Sequence, residues 1–299
     1  MTINSAGRIS RRSLIVGATG VAGAASIGSL APLTTFAQPA AAAVRQDIVN
    51  FAKDATKLAK FEAAVKEMQN RSKLKPNDPK GWRVNAKSHA DFCSVAATSS
   101  KQIHFCYWFL CWHRAYVHVT ELKIREISGD KTFCYPYWNW STDRRIPAAY
   151  AKHGSALSNA VRFTENRPLQ DDEVDFDPTD PVLKKLGVSA LAATAFEAQT
   201  PDDIGFVFGG IARPNSSHQY GNNRLEGTPH GPIHVYVGGE SVSGQGGDMS
   251  DFQTAGRDPI FFAHHGNLDR LWEIWRQDPA RKNTEPKTAA FLNHKFVFP

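Results

Sequence analysis

The chain has 299 residues, 41% of them hydrophobic and 21% charged, with a formal net charge of +6 at neutral pH. Three of the positive charges, Arg8, Arg11 and Arg12, fall within the first dozen residues, and without them the excess drops from +6 to +3. So small a bias, with no basic cluster interleaved with aromatic side chains, gives no sign of a nucleic-acid partner, and none is expected.

At the N-terminus, Ser10-Arg11-Arg12-Ser13-Leu14-Ile15 opens a Gly/Ala-rich stretch, LIVGATGVAGAASIGSL, with no acidic residue before Asp47 and alanines at Ala40 to Ala43. Paired arginines, a weakly apolar segment and an alanine-rich exit are similar to a twin-arginine signal peptide. Residues 1–43 are therefore expected to direct export by the twin-arginine route to a periplasmic or secreted location and then to be removed. A membrane anchor needs about 20 strongly apolar residues, and Gly, Ser and Thr dilute this run; no stable membrane insertion is expected after cleavage. What remains, 44–299, is about 260 residues and suits one large domain. A signal of this type further implies folding, often around a cofactor, before export.

Along the mature chain, Ile48, Phe51, Ala52, Ala55, Leu58, Phe61, Val65 and Met68 recur at three- and four-residue intervals, which predicts an amphipathic helix over 47–69. Lys75-Pro76-Asn77-Asp78-Pro79 ends it. A second helix is predicted from about Trp82 towards Phe92, and a third from Trp108 to Ile127, broken by Ser128-Gly129-Asp130. From about 141 to 225 the pattern weakens to long loops with short helices, and the acidic DDEVDFDPTDP of 171–181 reads as a solvated loop without calcium-loop spacing. Helical period returns over His230–Tyr236 and over Pro259–Trp275, where Ile260, Phe261, Leu268, Leu271, Trp272 and Trp275 keep it. No solenoid-type repeat is present.

The histidines fall into two groups. His230 and His234 in PHGPIHVYVGG are four apart, which on a helix sets both imidazoles on one face about 6 Å apart; Pro232 between them is tolerated only in a first turn. His104 and His113 in HFCYWFLCWHR are nine apart, half a turn out of alignment at about 100° per residue, so His104 is expected in the loop before the helix that carries His113. His89 in SHADFC comes from the preceding helix and can close that set. A third stretch, DPIFFAHHGNLDRLW, holds adjacent His264 and His265, whose side chains diverge by about 100°, and period alone does not choose between them. Buried neutral imidazoles without partners are costly, and a soft-to-borderline transition metal relieves that cost.

Taken jointly, His104-x8-His113-Arg114-x-Tyr116-x4-Glu121, Glu226-Gly-x-Pro229-His230-x3-His234, Gly247-Asp248-Met249 and Arg257-Asp258-Pro259-x4-His264-His265-x-Asn267-x-Asp269-Arg270-x-Trp272 resemble the type-3 copper proteins, above all the plant-type polyphenol oxidases, catechol oxidases and tyrosinases. The resemblance covers roughly 80 to 298. It implies a mainly α fold in which a central four-helix bundle holds a dicopper site, with long loops and few short strands. It also implies two copper ions, one on His89, His104 and His113 and the other on His230, His234 and His265, which leaves His264 as a packing or supporting residue.

Further roles come with the resemblance. Cys93 lies where the plant-type enzymes carry a cysteine in thioether linkage to the second ligand, here His104. Cys106, Cys111 and Cys134 then allow at most one disulfide, and Cys106 and Cys111 are poorly spaced to bridge each other. Glu226 corresponds to a glutamate that orders a water near the metals, and Phe252 to an aromatic gate over one copper. Asn267 and Asp269 are expected to orient ligand imidazoles, and Glu121, Arg257 and Asp258 to tie the bundle together. His118, His153, His218 and His294 match no motif and are expected to be structural or exposed.

The implied reaction is copper-dependent oxidation of o-diphenols to o-quinones with reduction of O2 to water. Small phenols and O2 are the expected partners, with a copper-delivery protein as a further candidate. In the family an asparagine just after the first ligand of the second site is associated, with the glutamate, with monophenol deprotonation; here Gly231 stands in that place, and Val235 follows the next ligand. Diphenol oxidation is therefore expected ahead of a tyrosinase with monophenol hydroxylase activity, and an o-aminophenol oxidase fits the same motifs. An oxygen carrier is a different class that uses the same copper pair, and a dizinc hydrolase would ordinarily need carboxylate ligands or an open water site, against which the six-histidine set speaks. The ending FLNHKFVFP resembles the point at which the plant-type catalytic domain is followed by further sequence.

Overall fold

The computed structural model describes residues 44–93, 103–163, 167–174, 188–212, 222–239, 246–278 and 285–299, together with the backbone of 8–10. The expected export segment, His218 and most of the acidic loop at 171–181 lie outside the described residues. No described helix is long and apolar enough to cross a membrane.

Five helices organise the described residues: α1 (Ala55–Leu74), α2 (Trp82–Cys93), α3 (Trp108–Ser128), α4 (Gly231–Gly238) and α5 (Ile260–Gln277). The helix predicted over 47–69 is in fact two. A single turn, Ile48–Phe51, is followed by a break, and Asp54 then caps α1 by accepting hydrogen bonds from the Thr56 and Lys57 amides at 3.1 and 3.0 Å. The apolar period cannot reveal this break, because Phe51 and Phe61 still pack together across it, edge to face at 6.1 Å. α3 ends where predicted, at Gly129, whose φ of 72° is a left-handed terminator that glycine adopts without strain.

Helices α3 and α5 form the centre. Both are buried on most of their circumference, as befits elements packed on all sides. They interlock through Tyr116 and Phe262, with ring centroids 5.0 Å apart. α2 lies against α3, where the Tyr116 hydroxyl donates to the Asn85 carbonyl at 2.7 Å and Asn85 Nδ2 donates to Thr120 at 3.1 Å. α4 approaches α5 from the opposite side and brings His234 to His265. α1 packs outside α2 and α3 through Phe61, Ala64, Val65 and Met68. The four-helix arrangement expected from the resemblance is therefore α2, α3, α4 and α5.

Strands are few and short, as expected. Glu197–Ala198 pairs in parallel with Gly210–Ile211, and Arg8–Ser10 pairs antiparallel with Lys295–Val297. The second pairing exists only in a chain that retains the expected export segment. Between about 141 and 225 the described residues form single turns such as Ala148–Ala151, Ser189–Ala192 and Pro201–Phe206. The C-terminal segment folds back on α3: Phe291 and His294 stack on Trp108 at 5.3 and 4.1 Å, and Phe298 lies 5.5 Å from Trp112.

Ion pairs close one end of the bundle. Glu121 receives Arg45 at 2.6 Å and the Tyr135 amide at 3.0 Å, and Arg162 holds Asp258 at 2.7 Å. Glu121 and Asp258 thus tie the bundle as expected. Arg257 differs, since its side chain is 60% exposed and meets Asp248 only at 3.7 Å, and its contribution is the carbonyl that accepts from Trp82 Nε1 at 2.8 Å.

Candidate metal centre

The two histidine groups meet between α3 and α5. His89 projects from α2 and His113 from α3, while His104 sits in the loop before α3, the place its half-turn mismatch required. Ring centroids are 5.6 Å apart for His89 and His104, 5.6 Å for His89 and His113, and 5.2 Å for His104 and His113. With the Cys93 thiol, these residues offer ligand atoms that all lie within 4.8 Å of one another.

The second group is built on a kinked entry to a helix. Glu226–His230 forms a wide turn that runs into α4, so Pro232 falls in the first turn, where its missing N–H leaves no bond broken. His230 ends the turn, His234 follows one turn on, and α5 contributes His264 and His265; ligand atoms of all four lie within 4.8 Å of one another. His234 Nε2 and His265 Nε2 are 3.5 Å apart. The groups adjoin through His113 and His265, stacked at 4.0 Å with 7° between planes, and through His104 and His230 at 5.8 Å.

Main-chain carbonyls aim these rings. His89 Nδ1 donates to the Phe252 carbonyl at 2.7 Å, His113 Nδ1 to Phe109 at 2.8 Å, His230 Nδ1 to Glu226 at 3.1 Å and His234 Nδ1 to Met249 at 2.6 Å. A carbonyl only accepts, so each of these Nδ1 atoms carries the proton and each Nε2 presents a lone pair. The Nε2 atoms of His89, His113 and His230 are buried and have no hydrogen-bond partner. A buried unmade hydrogen bond costs about 1–3 kcal/mol, and several lone pairs converging on two points fit transition-metal ions. Neither group contains a carboxylate.

Burial also keeps the rings neutral. It lowers the pKa of His89 to about 3 and of His234 to about 4, partly offset by the carbonyls they face, and holds His104, His113, His230, His264 and His265 well below the usual imidazole range. Neutral imidazole is the form that binds a metal.

Asn267 and Asp269 do not orient these rings. Asp269 is held by the guanidinium groups of Arg45 and Arg114, and Asn267 Oδ1 accepts from Arg270 at 3.3 Å. Two fixed cations attract a carboxylate more strongly than a neutral imidazole does, and the carbonyls already occupy Nδ1 in four of the rings. His264, expected as a packing or supporting residue, lies within the second cluster, fully buried with neither ring nitrogen partnered.

Glu226 is buried beside the rings. Its carboxylate accepts the Phe105 amide at 3.0 and 3.1 Å and Asn223 Nδ2 at 3.0 Å, while its own amide donates to Asn223 Oδ1 at 2.9 Å. Burial raises its pKa to about 8, against the lowering effect of the Phe105 N–H. Phe105 has a φ of 59°, unusual for a bulky residue, and this conformation turns its amide towards Glu226 directly after His104. Sequence reasoning missed both neighbours. Asn223 had left a signal, since Asn-x-x-Glu is the spacing at which a helix-capping side chain meets the amide three residues on; Phe105 had left none.

A cleft of about 190 Å³ opens above the rings of His89, His104, His230 and His234. Its walls include Phe105, Gly231, Met249 and Phe252, and Val235 at its mouth is 43% exposed. The Phe252 ring lies 4.7 Å from that of His104, which sets the expected gate residue against the first group. The backbone behind it is held by a close approach: a Cβ on Gly256 would meet the Ala86 carbonyl and the Tyr116 hydroxyl at 3.0 Å.

No disulfide joins the four cysteines. Of the histidines expected to stand apart, His118 hydrogen-bonds Glu121 at 3.1 Å, His153 is exposed and His294 stacks on Trp108.

Comparison with known proteins points the same way. A family profile described as the common central domain of tyrosinase matches residues 79–278. A chloroplastic polyphenol oxidase of Malus domestica is 31% identical over 244 residues, which is 78% of this chain and 41% of the relative. Catechol oxidase B of Solanum tuberosum is 29% identical, over 83% of this chain and 43% of the relative. The chain thus spans less than half the length of these relatives. The crystal structure of a Vitis vinifera polyphenol oxidase superposes with a TM-score of 0.66 at 27% identity, covering 91% of this chain and 84% of that one.

Proposed function

The chain belongs to the tyrosinase family, and from that premise we propose that it oxidises o-diphenols to o-quinones, using two copper ions and reducing O2 to water. The observation that carries the proposal is the pair of buried imidazole clusters, neutral, aimed by carbonyls and open to a cleft of aromatic-ring size. In this reading His89, His104 and His113 hold one copper, and His230, His234 and His265 hold the other. Bound copper supplies the transfer of electrons from diphenol to O2. Two diphenols give up two hydrogens each, and one O2 leaves as two waters.

The protein's own residues bind, orient and handle protons. Phe252, Phe105 and Met249 wall the cleft with apolar surface that receives a phenyl ring and excludes water. Glu226, held by Asn223 and the Phe105 amide, is a carboxyl at the floor able to exchange a proton with a water or a phenol. Gly231 offers no side-chain amide to polarise that water, which favours diphenols, and Val235 lines the mouth. A second reading, monophenol hydroxylation, rests on the same Glu226. The near approach of the Cys93 thiol to the first group supports a thioether to His104 in the mature protein, formed by a two-electron oxidation with O2 as the acceptor and detectable as a loss of two hydrogens in intact mass. We also propose that residues 1–43 direct export, which N-terminal sequencing of exported protein would test.

Oxygen uptake by the copper-loaded protein decides the matter. Sustained uptake is expected with 4-tert-butylcatechol and none at once with tyramine. Immediate hydroxylation of tyramine without added diphenol would establish a tyrosinase. An oxygenated spectrum without continuing uptake would mean a carrier, and zinc in place of copper by elemental analysis would point to hydrolysis.

A further inference from the structure

Among the described residues, the rim of the cleft carries charge of one sign. Asp251 lines the cleft and is exposed, and Asn222, the other exposed polar residue of its lining, is uncharged. Among the described residues lining the cleft, the other carboxyl is Glu226 at the buried floor, and none is a lysine or arginine. Arg257, beyond the rim, is directed to Asp248 at 3.7 Å.

Asp251 is fixed in place by its own turn. Its carbonyl accepts the Thr254 and Ala255 amides at 3.1 and 2.8 Å, and its Oδ1 accepts the Gln253 amide at 2.6 Å. The next residue is Phe252, whose ring packs on His104. The carboxylate therefore stands beside the surface on which an aromatic substrate must lie. A diphenol has to direct its two hydroxyls to the imidazole floor, so the opposite end of the ring, with whatever chain it bears, points to the mouth and to Asp251.

We propose that Asp251 selects among o-diphenols by side-chain charge, favouring those that carry an alkylammonium group over those that carry a carboxylate. The proposal rests on the diphenol-oxidase reading of the cleft. An exposed carboxylate acts through a screened field, so the selection is modest, sensitive to salt and expressed mainly in KM.

The test uses the copper-loaded protein at low salt with three catechols that differ in charge: dopamine, 4-methylcatechol and 3,4-dihydroxyphenylacetate. The wild type should show the highest kcat/KM for dopamine relative to dihydroxyphenylacetate. Asp251→Asn should compress that ratio by about threefold to tenfold, whereas Asp251→Glu should keep the order. Raising the ionic strength should compress the wild-type ratio in the same direction, a readout that needs no variant. A ratio unchanged by Asp251→Asn and by salt, or a wild-type preference for the carboxylate, overturns the proposal while the oxidase reading stands. Failure to oxidise even neutral 4-methylcatechol overturns the oxidase reading, and the proposal falls with it.

Discussion

At the scale of single residues, the adjacent pair on α5 shows how far geometry separates ligand from neighbour. Both His264 and His265 reach the second cluster, but only His265 also serves the boundary between groups, stacked on His113 at 4.0 Å and 3.5 Å from His234 Nε2. His264 instead meets His230, His234 and, at 6.4 Å, Trp140. His265→Ala is therefore expected to lower bound copper from two equivalents to one, and His264→Ala to retain both, as read by elemental analysis; equal losses would reassign the ligand. Gly231 poses a question of reactivity rather than binding. Its backbone is helical, and an added Cβ would meet nothing nearer than the Glu226 carbonyl at 3.8 Å, so a side chain can begin there without a clash. Gly231→Asn restores the amide that the family associates with monophenol deprotonation. The ratio of tyramine to catechol turnover should rise, and an unchanged ratio would mean that the amide is not what this site lacks.

At the scale of elements, the sequence carried most of the helices because their signals are local. Apolar period located α2, α3 and α5, and Gly129 marked the end of α3. Gly129→Ala should lower stability by about 1 kcal/mol, since φ of 72° penalises any Cβ although nothing lies within 4 Å of it. Denaturant titration would measure this, and Gly129→Asn should recover part of the loss. The placement of His104 in a loop before α3 was legible too, through its half-turn mismatch with His113, and the four-residue step of His230 and His234 set both on one side of α4. The partners that aim the rings were not. The Phe252 carbonyl that meets His89 lies 163 residues away in a turn without period, and any residue type supplies a carbonyl. Asn267 and Asp269 had the right chemistry for that task, but Arg45 and Arg114 claim Asp269 through contacts between distant segments that no local pattern reveals.

At the scale of the whole molecule, burying so many imidazoles beside one carboxyl makes the metal-free fold sensitive to pH from both sides. Each buried histidine has a folded pKa below its ordinary 6.5, to about 4 for His234 and about 3 for His89. Unfolding below pH 6.5 therefore takes up protons, and stability falls as the pH drops from 6.5 towards those folded values. Glu226 acts in the opposite sense. Its folded pKa, raised by burial from 4.5 to about 8, gives stability that is full below 4.5 and is lost as the pH rises to about 8. Several histidines outweigh one glutamate on the acid side, and from 6.5 to about 8 the glutamate dominates, before Lys123, whose folded pKa burial lowers to about 8, acts in the opposite sense; below about pH 8 the metal-free protein should therefore be most stable near pH 6.5. Copper held by the preorganised clusters binds the folded chain in preference to the unfolded one and should raise the melting temperature. It should also flatten the alkaline limb, because a nearby cation favours the ionised carboxylate. Thermal melts of metal-free and copper-loaded protein from about pH 4 to 9 would test this, and Glu226→Gln should remove the alkaline limb from the metal-free protein alone. A metal-free melting temperature that climbs steadily as the pH falls from 7 to 5 would show that the imidazoles are not held neutral by the fold.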